Sequence, residues 1–155
     1  MIDLDAIDHS ILAVLQTDGR VTNAELADAV GLSPSACHRR VRRLETDGVI
    51  DYYAAIVNRA LVGRGVAVFV EISLESQHED VLDAFEAAIR DVPHVRSCHL
   101  MAGNADYLVH VTCGDVADYE TIHREYLALL PGVTRVRSSF AIRTIADTTV
   151  LDLTR

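Results

Sequence analysis

Apolar residues recur every three or four positions in the first third of the chain, and glycines interrupt this pattern twice. The apolar stripe over residues 7–15 predicts a helix that stops near Gly19. Thr22 is the expected N-cap of a second helix, because Glu25 stands three residues later, as a capping box requires. Gly31 is the expected C-cap of that helix. The pattern therefore predicts two short helices in succession.

A third helix is predicted directly after that glycine. Ser33 is a favourable N-cap, and Pro34 suits the first helical position, where its missing N–H is not needed. The helix is expected to run to about Asp47 and to end at Gly48. Residues Val49–Val57 follow as one or two predicted strands. Three helices with a glycine-containing turn indicate a helix-turn-helix, which the strands would make winged.

Beyond Gly65 the pattern changes to apolar strands that alternate with amphipathic helices. The predicted elements are strand Val66–Leu74, helix 77–92, strands Val95–Ala102 and Tyr107–Cys113, helix 116–130, and a long strand from Val133 to about Thr149. The order β-α-β-β-α-β is typical of the ferredoxin-like fold. We expect the uniformly apolar first strand to be buried on both faces.

The predicted fold class is α+β, with an N-terminal winged helix-turn-helix and a C-terminal ferredoxin-like βαββαβ domain. Residues 1–57 form the expected winged helix-turn-helix domain. Residues 58–65 are the expected linker, and residues 66–155 form the expected ferredoxin-like domain.

The composition indicates a soluble cytoplasmic protein without a membrane partner. Half of the 155 residues are hydrophobic and 24% are charged. No apolar run approaches the roughly 20 residues that span a bilayer, and the N-terminus is acidic rather than basic. The three cysteines form no CxxC pair, so we expect reduced thiols.

Charge is distributed unevenly along this acidic chain. The net charge is −9 and lysine is absent, yet residues 34–46 carry four arginines against Glu45 alone, a local charge of +3. A negative protein with one positive face would orient that face toward a polyanion. The cluster therefore predicts contact with the backbone of double-stranded DNA.

The third predicted helix separates its residues by face. Its apolar positions should face the core, and its polar positions the solvent. In helix-turn-helix docking the N-terminal half of this helix meets base edges, whereas its flanks contact phosphates. The predicted DNA-binding residues are the helix-capping Ser33, the possible base contacts Ser35, His38 and Arg39, and the phosphate contacts Arg42 and Arg43.

Arg40 is expected to play a partly structural role. It lies nearer the apolar edge of the helix, where its stem can pack and its guanidinium can reach a neighbouring phosphate or carboxylate. The alternative for the whole cluster is a solvated face with intrahelical salt bridges. Only Glu45 and Asp47 are close in sequence, however, and two carboxylates cannot neutralise four arginines.

Several motifs together make the chain resemble the Lrp/AsnC family of transcription regulators. The matching segments are Leu4-Asp5 to Leu15, Asp18-Gly19-Arg20, Glu25-Leu26-Ala27, Gly31 to Ser35, Arg39 to Glu45, Gly48-Val49-Ile50, Cys98-His99, Gly103 to Tyr107 and Leu130 to Val133. The resemblance implies dimers, possibly an octamer of four dimers, and binding of a small amino acid near a dimer–dimer contact. One departure is the tail, where Leu151-Asp152-Leu153 replaces a frequent Leu-Pro-Leu.

The resemblance directs attention to the loop between the two predicted central strands. Gly103 and Asn104 can offer backbone N–H groups to a carboxylate, and Asp106 can accept an ammonium group, as binding of an amino-acid zwitterion requires. Ser138 and Ser139 could complete the pocket from another subunit. The alternative is an ordinary hairpin turn, because glycine, asparagine and aspartate are common turn residues.

Enzymatic and metal-dependent functions find little support. The chain has no GxGxxG, P-loop, GxSxG or HExxH motif, so we expect no catalysis and no cofactor beyond a possible amino-acid effector. A hairpin turning at Asn104-Ala105 would place His99 opposite His110. Adjacent strand residues such as Cys98 and His99 point to opposite faces, however, and we expect no metal site.

The sequence therefore predicts a sequence-specific transcription regulator whose oligomerisation and DNA affinity respond to a small effector. One alternative is an architectural DNA-compacting protein that senses no ligand and bends DNA with little sequence preference. Another is a sensor domain joined to a winged unit that docks on protein instead of DNA.

Overall fold

Three capped helices form the N-terminal part of the computed structural model, which describes residues 2–153. They are α1 (Ala6–Thr17), α2 (Asn23–Ala29) and α3 (Pro34–Thr46). Thr22 and Glu25 form the predicted capping box of α2, and the side chain of Ser33 caps α3. A second capping box, formed by Asp5 and Asp8 at the start of α1, was not predicted.

The turn between α2 and α3 is short and held at both ends. Gly31 adopts a φ of 69°, in the left-handed region that glycine enters without strain. The side-chain amide of Asn23 donates a hydrogen bond to the carbonyl oxygen of Pro34 at 2.8 Å, which joins the starts of the two helices. Buried Leu26, Cys37 and Leu44 then pack α2 and α3 into one core. This confirms the predicted helix-turn-helix.

The predicted strands over residues 49–57 are not formed. Within residues 2–56 the chain contains no strand, and residues 51–57 are irregular and exposed. The reason is the absence of a pairing partner in this segment, since a strand requires a neighbour for its backbone hydrogen bonds. Tyr53 is instead fixed through its side chain, whose hydroxyl donates to Glu45 at 3.2 Å.

The second part of the chain is a four-stranded antiparallel sheet with two helices. Its elements are β1 (Val66–Leu74), α4 (Glu79–Ile89), β2 (Val95–Leu100), β3 (Tyr107–Cys113), α5 (Val116–Glu125), a 3-10 turn (Leu127–Leu129) and β4 (Val133–Phe140). The strand order is β2-β3-β1-β4, so β1 and β3 are central. This arrangement confirms the ferredoxin-like fold. No helix within residues 2–153 is long and apolar enough to cross a bilayer.

The helices cover only one face of this sheet. Val68, Val70 and Ile72 point toward Phe85 of α4 and are fully buried. The alternate positions Phe69 and Glu71 are exposed on the other face. Within the single chain the first strand is therefore buried on one face, and burial of its other face against a second sheet stays a prediction. We call the uncovered side the open face of the sheet.

The last strand is shorter than predicted. It ends at Phe140, which pairs with Val68, and one further backbone hydrogen bond joins Ala141 to Ala67 at 2.9 Å. Beyond that point β1 offers no partner, so the predicted continuation to Thr149 is not a strand.

The chain divides into two structural units whose bounds differ from the domains proposed from the sequence. One unit comprises residues 1–56 together with residues 146–155, and the other comprises residues 57–145. The tail groups with the N-terminal unit because Leu153 packs against that unit's core. Arg64, within the expected linker, forms an ion pair with Asp118 at 2.5 Å.

Candidate DNA interface and effector pocket

The outer face of α3 presents the polar residues predicted to contact DNA. Ser35, His38, Arg39 and Arg42 are all exposed, while Cys37, Val41 and Leu44 turn toward the core. Ser33 is exposed as well, but its hydroxyl is used locally, accepting the Ala36 N–H at 3.3 Å as the N-cap. The helix thus carries a hydroxyl, an imidazole and guanidinium groups on one surface.

Arg40 lies at the structural edge of this surface, as predicted. Its guanidinium donates to Asp5 at 2.8 Å and to Asp8 at 2.9 Å, which ties α3 to the start of α1. The hydrogen bond from the Asp8 backbone N–H and the Arg40 guanidinium lower the pKa of Asp5. The same carboxylates raise the pKa of Arg40.

Arg43 is less available for contact with a DNA phosphate than the sequence suggested. Its guanidinium also bonds to Asp8, although 45% of the side chain remains exposed. Arg42 is freer, with 71% of its side chain exposed and Glu45 at 3.6 Å as a weak partner. Phosphate contact is therefore a stronger prediction for Arg42 than for Arg43, whose charge is already partly neutralised.

Asp8 is the main residue that sequence reasoning missed in this unit. Its side chain is only 1% exposed, and it accepts hydrogen bonds from two arginines of α3. A buried carboxylate needs such partners, because an isolated charge is unfavourable away from water. The available signal was the Asp5-x-x-Asp8 spacing before an apolar stripe, which has the form of a capping box.

A second polar surface surrounds the loop between β2 and β3. A cavity of about 330 Å³ is lined by Glu71, Met101, Ala102, Gly103, Asn104, Ala105, Tyr107, Leu108 and Arg137. A smaller cavity of about 210 Å³ adjoins it, and the two share Glu71, Asn104, Ala105 and Arg137. Two of the predicted effector-binding residues, Gly103 and Asn104, therefore lie at one cavity. We call this region the loop pocket.

Asp106 fixes the loop and does not line this pocket. Its carboxylate accepts the Leu74 N–H and the Gln77 amide, both at 2.7 Å. Its own backbone N–H donates to the carbonyl oxygen of Ile72 at 2.9 Å. These bonds hold the loop against β1 and engage both carboxylate oxygens that were expected to meet an ammonium group.

The two serines predicted to complete the pocket lie apart from it within this chain. Ser138 pairs with Val70 on the helix-covered side, where its hydroxyl bonds to that of Tyr119. Ser139 pairs with Phe69 and is exposed on the open face. Neither side chain lines the loop pocket.

Opposite charges stand side by side in the loop pocket, and sequence reasoning did not single them out. Glu71 and Arg137 are register partners on β1 and β4, and their charged groups are 4.0 Å apart. Both side chains are more than half exposed. A loose exposed pair of this kind contributes little stability, so both groups can bind another partner. The sequence feature that could have indicated this site is Glu71, a lone acidic residue within an apolar strand.

The histidines do not pair as the predicted hairpin would have placed them. His99 lies opposite Leu108, and His110 opposite Ser97, because the hairpin is centred on Gly103-Asn104 and not on Asn104-Ala105. His110 instead stacks on Phe69 with ring centroids 4.8 Å apart. Burial, followed by the nearby Arg59 and Arg96, lowers the pKa of His110. Residues 2–153 hold no group of three or more potential metal ligands.

These features are those of a DNA-binding protein with a second, pocket-bearing domain. A helix-turn-helix with a basic, exposed third helix is a DNA-binding unit, and it is joined to an α+β unit with a polar surface pocket. Family models match both parts. Residues 4–51 match the winged helix-turn-helix DNA-binding model, and residues 67–151 match the Lrp/AsnC ligand binding domain.

Curated relatives and solved structures agree with these matches. The leucine-responsive regulatory proteins of Salmonella typhimurium and Escherichia coli K12 are each 43% identical over 136 residues, covering 88% of this chain and 83% of theirs. A transcriptional regulator from Neisseria meningitidis, solved in complex with L-Met, has a TM-score of 0.92 and 37% identity, with 97% of each chain covered. An AsnC family regulator from Agrobacterium tumefaciens has a TM-score of 0.93 and 35% identity, again with 97% of each chain covered.

The chain belongs to the Lrp/AsnC family of transcription regulators. It is an effector-responsive regulator with a DNA-binding unit and a ligand-binding unit. The relatives are regulators rather than enzymes, which confirms the expectation that the chain has no catalytic role.

Proposed function

We propose that the protein represses or activates its target genes by placing α3 in the major groove of an operator. Ser35, His38 and Arg39, in the N-terminal half of the helix, would contact base edges. Arg42 would contact a phosphate, with Ser33 and the partly neutralised Arg43 as secondary contacts. The observation that carries this proposal is the exposed basic face of α3 on a chain of net charge −9. A genomic operator as target implies the cytoplasm as the place of action.

We further propose that the protein acts as a dimer, with an octamer of four dimers as a possible larger assembly. The open face of the sheet supports this, because Phe69 is 41% exposed there and lies beside half-buried Leu108 and His110. An uncovered apolar surface of this kind favours a second copy. Two copies of α3 about 34 Å apart would match a pseudo-palindromic operator.

Removal of the Arg42 charge should weaken binding to all DNA sequences to a similar extent. A phosphate contact releases condensed counterions, so its loss should lower the slope of log K against log salt by about 1 per contact. The measurement is a mobility-shift titration of Arg42→Ala against the region upstream of the protein's own gene, at several salt concentrations.

Arg124→Ala is the matched control for this experiment. Arg124 is also exposed and paired with a glutamate, Glu120 at 2.6 Å, but it lies on α5, which is not part of the helix-turn-helix. Its removal should leave the salt dependence unchanged. An unaltered slope for Arg42→Ala would contradict the phosphate contact.

We propose that the effector is an amino acid with an uncharged, apolar side chain and that it binds in the loop pocket. The Arg137 guanidinium suits the α-carboxylate and Glu71 suits the α-ammonium. Met101 and Leu108 provide apolar surface for the side chain. The regulator from Neisseria meningitidis was solved with L-Met, which supports this ligand class. Effector binding would alter assembly or half-site spacing, and the coupling to DNA must be reciprocal.

Arg137→Ala should lower the affinity for such an amino acid by roughly tenfold or more, because a hydrogen bond to a charged group contributes about 1.5–3 kcal/mol. Isothermal titration with methionine, leucine, lysine and glutamate measures this, and the two charged amino acids should bind least well.

Ser139→Ala tests whether Ser139 contributes to effector binding, as the sequence predicted. Ser139 was predicted to complete the pocket from another subunit, and within this chain it does not line the loop pocket. This variant should therefore bind like the wild type unless the serine acts across a subunit contact. Equal heats for Arg137→Ala and the wild type would remove Arg137 from the site. A mobility-shift titration with and without the bound amino acid then tests whether binding regulates DNA affinity.

A further inference from the structure

The last described residues of the chain lie against the DNA-binding unit. The side chain of Gln16 on α1 accepts a hydrogen bond from the backbone N–H of Leu151 at 2.7 Å. It also donates one to the carbonyl oxygen of Leu151 at 3.3 Å. Leu153 is half-buried and packs against the apolar core of the same unit. The amide side chain of Gln16 and the side chain of Leu153 thus attach an irregular segment to this unit.

Most of this segment is exposed to solvent. Ile145 and Leu151 are 79% and 69% exposed, and Val150 is 47% exposed. An irregular, largely exposed segment opens locally more often than the whole unit unfolds. Docked and undocked tails are therefore both accessible states of the folded protein.

The surface that residues 151–153 contact belongs to α1, the helix that also holds α3 in place. Leu151 and Leu153 border an apolar cavity of about 310 Å³, together with Leu12 and Leu15 of α1 and Ile50 beyond α3. The N-terminal end of α1 carries the two carboxylates that hold arginines of α3. Loss of the tail would expose apolar surface on α1 and loosen the helix against which α3 is held.

We propose that residues 146–153 form a C-terminal latch whose docking on α1 favours the DNA-binding form of the protein. The latch belongs to the same structural unit as α1, although residues 57–145 separate the two in sequence. The inference rests on DNA binding through α3. By thermodynamic linkage, DNA must favour latch docking by the same factor by which docking favours DNA binding.

Amide hydrogen exchange of the full-length chain at Leu151 tests the latch. In the wild type this N–H should exchange more slowly than an unprotected amide, because it donates to Gln16. Gln16→Ala should raise its exchange rate by roughly tenfold, the loss expected from one net hydrogen bond. Thr17→Ala is the matched control, since Thr17 is the neighbouring polar residue of α1 and bonds only within the helix, to Ala13 at 3.1 Å. Leu153→Ser provides an independent second disruption.

The link to DNA is tested with a random-sequence duplex of about 30 base pairs at low salt, where nonspecific binding is measurable. Saturating duplex should slow Leu151 exchange in the wild type, and Gln16→Ala and Leu153→Ser should both bind the duplex several-fold more weakly than Thr17→Ala. Exchange of the Leu151 amide at the rate of an unprotected amide in the wild type would contradict docking of the latch on α1. Protection that the duplex leaves unchanged, or equal affinities for all variants, would overturn its effect on DNA binding. Failure of the wild type to bind the duplex would instead refute DNA binding itself.

Discussion

Replacement of Asp8 by alanine is expected to lower the free energy of unfolding of the N-terminal unit by about 3 kcal/mol. The Asp8 side chain is 1% exposed and is the common acceptor for Arg40 and Arg43. Its removal leaves two guanidinium groups without their shared carboxylate and breaks the capping box of α1. This expected loss lies at the low end of the range for breaking a buried ion pair, because both arginines retain access to solvent. Urea unfolding followed by circular dichroism measures it.

Two further variants separate the buried pair from a general effect of charge. Asp28→Ala removes an exposed carboxylate on α2 and should change stability by less than about 0.5 kcal/mol. Asp8→Asn keeps the size of the side chain and one hydrogen-bond acceptor but removes the charge. It should therefore lower the free energy of unfolding by less than Asp8→Ala does. Faster amide exchange within α1 would locate the change. A loss below about 1 kcal/mol for Asp8→Ala would show that Asp8 does not anchor α3.

Local signals were sufficient to predict most of the secondary structure. Thr22, Glu25, Ser33 and Pro34 are short-range caps, and the helices that they start form where expected. Apolar periodicity likewise located the four strands of the sheet. Both kinds of signal act between residues close in sequence, so they do not depend on the rest of the fold.

The failures all concern partners that are distant in sequence. Strand formation over residues 49–57 and beyond Phe140 needs a neighbouring strand, which an apolar pattern cannot supply. Burial of Phe69, which stays a prediction, would need a second layer on the open face of the sheet. The docking of Leu153 on the core that includes Leu12 joins the two ends of the chain, and no local pattern reports such a contact.

The residues of the candidate sites also fall into two groups: some were predictable from local sequence, and others depend on partners distant in sequence. Helical geometry predicted which residues of α3 face outward, and that part of the DNA interface needed no tertiary information. The neutralising partners of Arg40 and Arg43 come from α1, about 35 residues earlier in the chain. In the loop pocket, Gly103 and Asn104 were found from their residue types. Glu71 and Arg137 become neighbours only through strand pairing.

Arg39→Ala is expected to reduce sequence discrimination rather than overall affinity. A bidentate arginine contact to a guanine contributes about 1–3 kcal/mol against the wrong base, so each bound copy of α3 should lose roughly tenfold to a hundredfold in preference for the operator. Binding to random DNA should change much less. The measurement compares the affinity of wild type and variant for the operator and for duplexes with single base-pair substitutions.

Arg39→Lys is the informative companion, because lysine keeps the charge but cannot form the two parallel hydrogen bonds of a guanidinium. It should resemble Arg39→Ala in specificity and the wild type in salt dependence. Equal weakening on every duplex would instead make Arg39 a phosphate contact.

The structure favours Arg39 as the base-reading residue because of what the other arginines of α3 contact. Arg40 and Arg43 bond to Asp8, and Arg42 lies near Glu45. Within residues 2–153, no carboxylate forms an ion pair with Arg39, whose side chain is exposed in the N-terminal half of the helix. A guanidinium without a protein partner has no ion pair to break when it meets a base edge. Its hydrogen-bonding capacity is then available for discrimination between bases.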